Sequence, residues 1–531
     1  MKLSRTFVSA ALALAFLGNA AAAPTAVAPP ASAVPAFNLD ADVNQVLKTF
    51  DVPGMAIAIV KDGKVVLAKG YGVRKLGDPT PVDGKTLFEV ASNSKAFTAA
   101  ALAMLVDEGK LAWDDPVTKH LPGFQMYDSY VTGAMTVRDL LTHRSGLGLG
   151  AGDLLWWPTT SFSTDEIIAR LRYVKPATSF RSSYAYDNLL YIVAGKIIAE
   201  KAGKPWGAAI HERILAPLGM NGTKSSVAEM LASDDYSAPH SKINEKISVV
   251  KPIPVPNAVG AVGLNTNAED IARWMTVLLN DGKMDNGEQL ISAKQTAELW
   301  SEQTPIRIGD PKPALAATKP NFQAYGLGFQ LRDYKGRKIA MHTGALVGFY
   351  SEVLMVPEEK LGIAILTNAE SSAAMASLYW RILDQYLNVP PSDWIKLYAD
   401  QQAAHKAELA RLGKETSSRA AKSSPSLPLA SYDGEYEDAW YGKVTIGAEG
   451  NKRIMRFTST PDLTGELEHF QHDTFIVRWK ERSFNADAYV SFALNPDGSI
   501  ERMKMAPIST ETDFSYDFRD LTFIPVKAKT P

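Results

Sequence analysis

The chain has 531 residues, 46% of them hydrophobic and 21% charged, and its 56 Lys+Arg against 58 Asp+Glu leave a net charge of −2. That balance excludes binding of nucleic acid or an anionic membrane surface through bulk charge. The absence of cysteine excludes disulfides, thiol nucleophiles and thiolate metal sites, so stability must come from a large buried core.

The chain opens with Met1-Lys-Leu-Ser-Arg5, an apolar run from Phe7 to Leu17, and small residues through Ala22. A charged start, a short apolar segment and an Ala-rich cleavage site predict a signal peptide over residues 1–22 and an exported, periplasmic protein. No later apolar run approaches the length needed to span a bilayer, so no membrane span is expected after cleavage. Residues 23–38 are Ala/Pro-rich and read as an extended linker. Met55–Val60 and Val65–Tyr71, joined through Asp62-Gly63, read as a β-hairpin. Phe88 to Thr98 reads as the start of a helix, with Gly109 as its stop. A mixed helical region follows, and then three strands: Ala324–Leu331, Glu352–Val356 and Gly362–Thr367. Strands at both ends of a helical middle predict one α/β unit whose sheet is closed by distant parts of the chain. The expected domain spans 39–390. Residues 391–427 read as a helix followed by a polar linker. From 428 to 531 short β-rich runs alternate with turns, the pattern of a small antiparallel barrel or sandwich.

Chemistry concentrates at Ser92-Asn-Ser-Lys95. A serine hydroxyl is a poor nucleophile at neutral pH and needs a nearby base. A lysine three residues on shares its helix face and can supply one. The helix start adds amide donors and partial positive charge that favour an acyl oxyanion. A second Ser-x-x-Lys, Ser248 to Lys251, lies in a β-branched run ending at Pro252 and is not helical. Two further candidates follow in order. Tyr186-Asp187-Asn188 offers a proton relay, if cationic neighbours lower the tyrosine pKa, and an amide to orient a substrate carbonyl. His342-Thr343-Gly344 offers a strand edge that a substrate backbone can approach closely at glycine. Tyr386-Leu387-Asn388 repeats the tyrosine motif but falls after the last motif. His211-Glu212 begins a zinc-protease pattern that Leu215 breaks, and Asp281–Gly287 resembles a calcium loop only loosely, so neither a metal nor a cofactor is expected. Trp156-Trp157-Pro158 reads equally as a cleft lining and as a packed loop anchor.

These three motifs in this order resemble the serine β-lactamase and penicillin-binding superfamily, in its class C branch with D-aminopeptidases and esterases. Leu140–Leu147, Pro217–Met220, Gly263–Asp270 and Gly344–Phe349 resemble the family's framing segments. The resemblance covers roughly residues 40–385. It implies an antiparallel sheet flanked by helices plus an all-helical lobe. The region after 428 resembles the lipocalin-like barrel of some relatives. The resemblance assigns Ser92 as the acylated nucleophile, Lys95 as its activating partner and Tyr186 as proton relay. Asn188 is implied to hold the substrate amide, the backbone N–H groups of Ser92 and Ala345 to form the oxyanion hole, and His342 and Gly344 to flank the cleft.

His342 departs from the lysine usual in β-lactamases. A mostly neutral imidazole counts against β-lactam hydrolysis and fits the aminopeptidase and esterase members. The expected activity is peptide hydrolysis, on peptides with D- or non-standard residues such as linearised microcystin. A carboxylesterase and a non-catalytic penicillin-binding-like sensor are the alternatives. The substrate is a small peptide or ester, and the sequence leaves assembly into a homo-oligomer open.

Overall fold

The structure, a computed structural model, describes residues 37–416 and 423–526. The expected signal peptide over 1–22 and most of the linker over 23–38 lie outside the described residues. Among the described residues no helix is long and apolar enough to cross a membrane.

The central element is a nine-stranded antiparallel sheet. Its order is Asp78–Pro81, Lys64–Lys75, Gly54–Lys61, Leu361–Thr367, Phe349–Val356, Arg337–Leu346, Gln330–Tyr334, Gln323–Tyr325 and Thr304–Pro305. The two strands at its heart come from opposite ends of the region, with Ile57 facing Ile365 and Ile59 facing Ile363. Every residue of Leu361–Thr367 is buried, and so are all but the last of Gly54–Lys61. That explains their unbroken apolar sequences, because a strand covered on both faces has no polar side to alternate with. The hairpin between Gly54–Lys61 and Lys64–Lys75 turns at Asp62 and Gly63, which both take positive φ (53° and 74°), as a two-residue turn matched to strand twist requires.

Helices cover both faces of this sheet. Leu39–Thr49 and Ser372–Tyr386 lie on one face, where Val43, Val46, Leu378 and Ile382 pack against Ile57, Ile363 and Ile365. A buried ion pair joins the two helices, with Arg381 Nε 3.1 Å from Asp42 Oδ2. Losing one partner of such a pair costs about 3–5 kcal/mol, since it strands the other charge. Ala268–Leu279 packs on the opposite face. Beyond it lies a helical lobe built around Ser94–Asp107 and Leu189–Ala202. Ser94–Asp107 is buried almost all round, which its Ala-rich sequence permits by presenting little bulk on any side.

One strand differs from expectation. Ala324–Leu331 is not a single strand but a tight turn between Gln323–Tyr325 and Gln330–Tyr334, with Tyr325 paired to Gln330. Gly328 takes φ +81° and the Gly326 N–H donates to the Phe329 carbonyl at 2.8 Å. The two glycines of Tyr325-Gly-Leu-Gly-Phe329 make that reversal possible.

After the helix Trp394–Thr416 the chain forms a second, eight-stranded antiparallel sheet, in the order Ile500–Pro507, Ala488–Leu494, Thr474–Trp479, Thr464–Gln471, Lys452–Phe457, Gly442–Glu449, Gly434–Asp438 and Ile524–Pro525. A bridge between Met503 and Phe523 nearly closes it into a barrel. Tyr432, Phe457, Phe475, Trp479 and Phe518 fill its interior with edge-on and tilted ring contacts.

Glu352, on the strand Phe349–Val356, is an electrostatic fault in this core. It is 2% exposed, its Oε1 has no hydrogen-bond partner, and burial pushes its pKa well above the usual carboxylate range. Its folded-state pKa lies above its unfolded one, so its contribution to stability is lost as pH rises above about 4.3, the ordinary glutamate value. Glu352→Gln does not titrate. Its melting temperature is therefore expected to exceed that of the wild type by more at pH 8 than at pH 5. Scanning calorimetry at the two pH values checks this; a gain that does not grow with pH contradicts it.

Candidate active site

Ser92 sits in a short 3₁₀ turn, Ala91–Asn93, that feeds directly into the helix Ser94–Asp107. Ala91 takes φ +45°, a left-handed conformation that costs a residue with a Cβ and persists only where neighbours enforce it. They do so here. The Asn93 side chain donates to Ser351 Oγ at 2.8 Å, and Ser351 Oγ donates to the Val90 carbonyl at 3.0 Å. Gly344 lies against the same turn, and a Cβ on it would meet the Val90 carbonyl oxygen at 2.0 Å. Glycine is required there so that the strand Arg337–Leu346 can press the turn into shape.

Lys95, one turn on, is fully buried. Its Nζ lies 2.9 Å from Ser92 Oγ, 2.7 Å from Asn188 Oδ1 and 3.3 Å from the Ala261 carbonyl oxygen. Burial lowers its pKa to about 7, against the opposing fields of Asp153 and Asp187. The geometry suits a neutral amine, whose two hydrogens bond Asn188 and Ala261 while its lone pair faces the Ser92 hydroxyl.

Tyr186 joins them. Its ring lies 4.8 Å from Lys95 Nζ, and it lines the cleft beside Ser92. The condition set for a relay, a tyrosine pKa lowered by cationic neighbours, is not met. Burial raises Tyr186 well above its ordinary value, outweighing the lowering effect of the nearby Ser92 hydroxyl. The acidified group in this site is the Lys95 ammonium, and Tyr186 stays a neutral hydroxyl able to accept one proton while giving another. The segment Leu140–Leu147 explains its placement. His143 packs against Tyr186 with ring centroids 4.3 Å apart and planes tilted by 38°. The His143 carbonyl accepts from Ala185 N at 2.9 Å, and its Nδ1 accepts from Asp187 N at 3.2 Å. Arg144 and Arg181 converge on the buried Asp139, at 2.8 and 3.0 Å through their Nε atoms, and anchor both ends of this arrangement.

Asn188 receives Lys95 at Oδ1 and donates through Nδ2 to Asp153 Oδ2 at 2.8 Å. The strand Arg337–Leu346 carries His342, Gly344 and Ala345. Its pairing with Gln330–Tyr334 ends at Met341, so beyond that point its backbone extends past its neighbour toward Ser92. Thr343 and Ala345 line the cleft. His342 lies beneath it, 2% exposed, with Nδ1 2.6 Å from the Thr343 carbonyl and Nε2 2.8 Å from Tyr325 Oη. The carbonyl can only accept, so Nδ1 carries the proton and Nε2 accepts from the tyrosine. Burial, and then the Lys95 charge, lower its pKa to about 3. His342 is therefore a neutral prop under the strand.

The cleft above Ser92 has a volume of about 790 Å³, within the range of sites that enclose small ligands. Trp156 and Trp157 are both packed and cleft-lining, so the two readings of that segment hold together. The cleft has a contributor that the motifs do not mark. The loop Asp513–Asp517, reaching in from the barrel, puts Asp513, Phe514, Ser515 and Tyr516 on its wall. No pattern within residues 513–517 signals this, because the contact is made with residues some 330–365 positions earlier in the chain.

Comparison with known proteins agrees with this geometry. The Beta-lactamase family model matches residues 39–387, and the chain belongs to that family. A domain of unknown function, DUF3471, matches residues 418–525. The unguisins hydrolase of Aspergillus campestris is 31% identical over 86% of each chain. That of Aspergillus violaceofuscus is 27% identical over 87% of this chain and 86% of the relative. Protein flp of Staphylococcus aureus is 27% identical over 63% of each. The octameric penicillin-binding protein homologue from Pyrococcus abyssi shares the fold with a TM-score of 0.58 at 22% identity, covering 92% of this chain and 99% of that one. The protein is a β-lactamase-family serine hydrolase with a nearly closed C-terminal barrel.

If the neutral Lys95 amine is the base, kcat/KM rises with pH up to about 7, where the amine loses its proton, and then levels. Below that point the slope is about tenfold per pH unit. His342 is already neutral throughout that range and adds no further inflection. A pH–rate profile with a small neutral substrate checks this; a flat profile from pH 5 to 8 contradicts it.

Proposed function

We propose that this protein is an exported serine peptidase that cleaves amide bonds in short peptides through a Ser92 acyl-enzyme. Peptides with D- or otherwise non-standard residues, linearised microcystin among them, are the proposed substrates, and the periplasm is the proposed location. One observation carries the reading: a buried amine of lowered pKa lies 2.9 Å from a serine hydroxyl at the floor of the cleft. Two relatives that match over most of this chain are named unguisins hydrolases, which supports a hydrolase.

The chemistry follows from the distances. Lys95 takes the Ser92 proton as Oγ attacks the substrate carbonyl carbon. The resulting oxyanion is held by the N–H groups of Ser92 and Ala345, an arrangement worth about 10²–10³ in rate per donor. The proton returns through the Tyr186 hydroxyl to the leaving nitrogen as the C–N bond breaks. A water enters the vacated space, gives its proton back along the same path and releases the acid. Asn188 holds the substrate amide.

Charge in the cleft supports a peptide over a simple ester. Glu370 and Asp513 both open onto it. Two carboxylates on the cleft wall favour a substrate that carries an ammonium or guanidinium group, which a simple ester lacks.

Fluorophosphonate treatment, intact-mass measurement and peptide mapping test the reading. A single adduct on Ser92 is expected, and Ser92→Ala is expected to keep the fold while retaining less than about a hundredth of wild-type kcat/KM. An adduct elsewhere, or substantial activity in the alanine variant, removes Ser92 from the mechanism. A panel of short peptides against p-nitrophenyl esters then decides the substrate class; esters turned over with the higher kcat/KM point to the carboxylesterase instead.

A further inference from the structure

Asp153 is fully buried at the seam of three segments: the turn Asp153–Leu155, the tyrosine-bearing segment ending at Asn188, and the barrel loop Asp513–Asp517. Its Oδ1 accepts from Trp156 Nε1 at 2.8 Å. Its Oδ2 accepts from Asn188 Nδ2 and from Ser515 Oγ, each at 2.8 Å. Asn188 passes the interaction on, since its Oδ1 accepts from Lys95, which bonds Ser92. An unbroken line of hydrogen bonds thus runs from the barrel hydroxyl to the nucleophile. The line has a direction. Turning the Asn188 amide over would set its NH₂ against the lysine amine and its oxygen against the aspartate, opposing like groups at both ends.

The barrel loop is held in register for this contact. The Gly152 N–H donates to Asp517 Oδ2 at 2.8 Å. The Phe514 ring meets the Tyr186 ring edge-on at 6.0 Å. Gly150, at φ +67°, leaves the space Phe514 occupies, where a Cβ would come within 2.6 Å of the ring.

We propose that Asp153 and Ser515 are positioning residues of the hydrolase, fixing the Asn188 amide and through it the Lys95–Ser92 pair, so that the barrel supplies the last donor of the catalytic network. This rests on Ser92 being the nucleophile. Neither residue belongs to the three motifs or touches the reacting atoms.

The electrostatic consequence follows. Several titratable groups face the Lys95 amine: Asp153 from its turn, Tyr186 and Asp187 from the segment before Leu189–Ala202, Tyr191 from that helix, His143 beneath, and His342 from the strand. The tyrosines and histidines are neutral near pH 7, so Asp153 and Asp187 hold the amine's proton against burial. Burial raises the Asp153 carboxyl to about 7, opposed by the hydrogen bonds from Trp156, Asn188 and Ser515 and by the Lys95 charge, so Asp153 carries only part of its charge around neutrality and the Ser515 hydroxyl favours that charged form. Losing Asp153's charge, or weakening it by removing that hydroxyl, lets the amine deprotonate at lower pH.

The test uses the full chain with Asp153→Asn, Ser515→Ala and Ser515→Thr. It measures kcat and KM on a neutral peptide and the rate of Ser92 acylation by fluorophosphonate, both across pH. In Asp153→Asn and Ser515→Ala, kcat is expected to fall by about tenfold or more, the worth of one hydrogen bond to a charged group, with KM little changed. The acidic limb of both profiles is expected to move to lower pH, further for Asp153→Asn. Ser515→Thr, which keeps the hydroxyl, is expected to restore rate and profile. Ser515→Ala changes only a side chain at the seam between barrel and catalytic domain, so it keeps the test decisive if Asp153→Asn fails to fold. Wild-type rates and an unmoved limb in folded variants overturn the proposal, as does a loss with an unmoved limb that threonine does not rescue. A wild type that takes no adduct on Ser92 defeats the nucleophile assignment instead, and is told apart because it appears without any substitution.

Discussion

The structure turns on keeping one amine out of water. A lysine with no exposed surface is costly as a cation, and this protein answers by giving Lys95 three polar partners from three separate elements. Each partner demands something of its own element. Ser92 requires the turn at Ala91 to go left-handed. Asn188 requires a partner for its far side, which is Asp153. Ala261 requires the short helix Val259–Val262 to sit hard against Ser94–Asp107, and it is pinned there by Thr98 donating to the Gly260 carbonyl at 2.7 Å. The helical lobe, the sheet and the barrel loop meet at the place where that amine has to be satisfied.

Much of this is legible in the sequence, and for identifiable reasons. Ser92 and Lys95 are three residues apart on one helical turn, so their proximity is a local fact that spacing alone reveals. The long apolar runs at Met55–Val60 and Gly362–Thr367 announce fully covered strands, and their separation in the chain announces a sheet closed by distant segments. The barrel shows itself by short alternating runs. Tyr186, Asn188 and the His342 strand are far from Ser92 in sequence, and only the order of motifs ties them to it.

What is not legible depends on burial and on contacts between distant segments. A tyrosine relay was tied to cationic neighbours lowering the phenol pKa, because cations stabilise a phenolate. The fold instead excludes water around the ring, and desolvation wins. The strand over Ala324–Leu331 was read from its apolar content, whereas Gly326 and Gly328 fold it back and deliver Tyr325 to His342. Asp153 and Ser515 have ordinary neighbours and no motif. The nearest sequence signal was Trp156-Trp157-Pro158, since an aspartate three residues before a buried indole has an N–H within reach.

The closure of the sheet also sets an order on the molecule's assembly. Ile57 cannot find Ile365 until more than three hundred further residues have left the ribosome, and such distant pairings form slowly because the connecting chain must first be confined. Through that interval the serine turn has no strand pressing on Val90, and Ala91 has nothing to hold it in its unfavourable conformation. The serine turn is built early in the polypeptide and finished late. A nascent or truncated chain therefore carries Ser92 and Lys95 without the strand and the distant segments that fix their geometry.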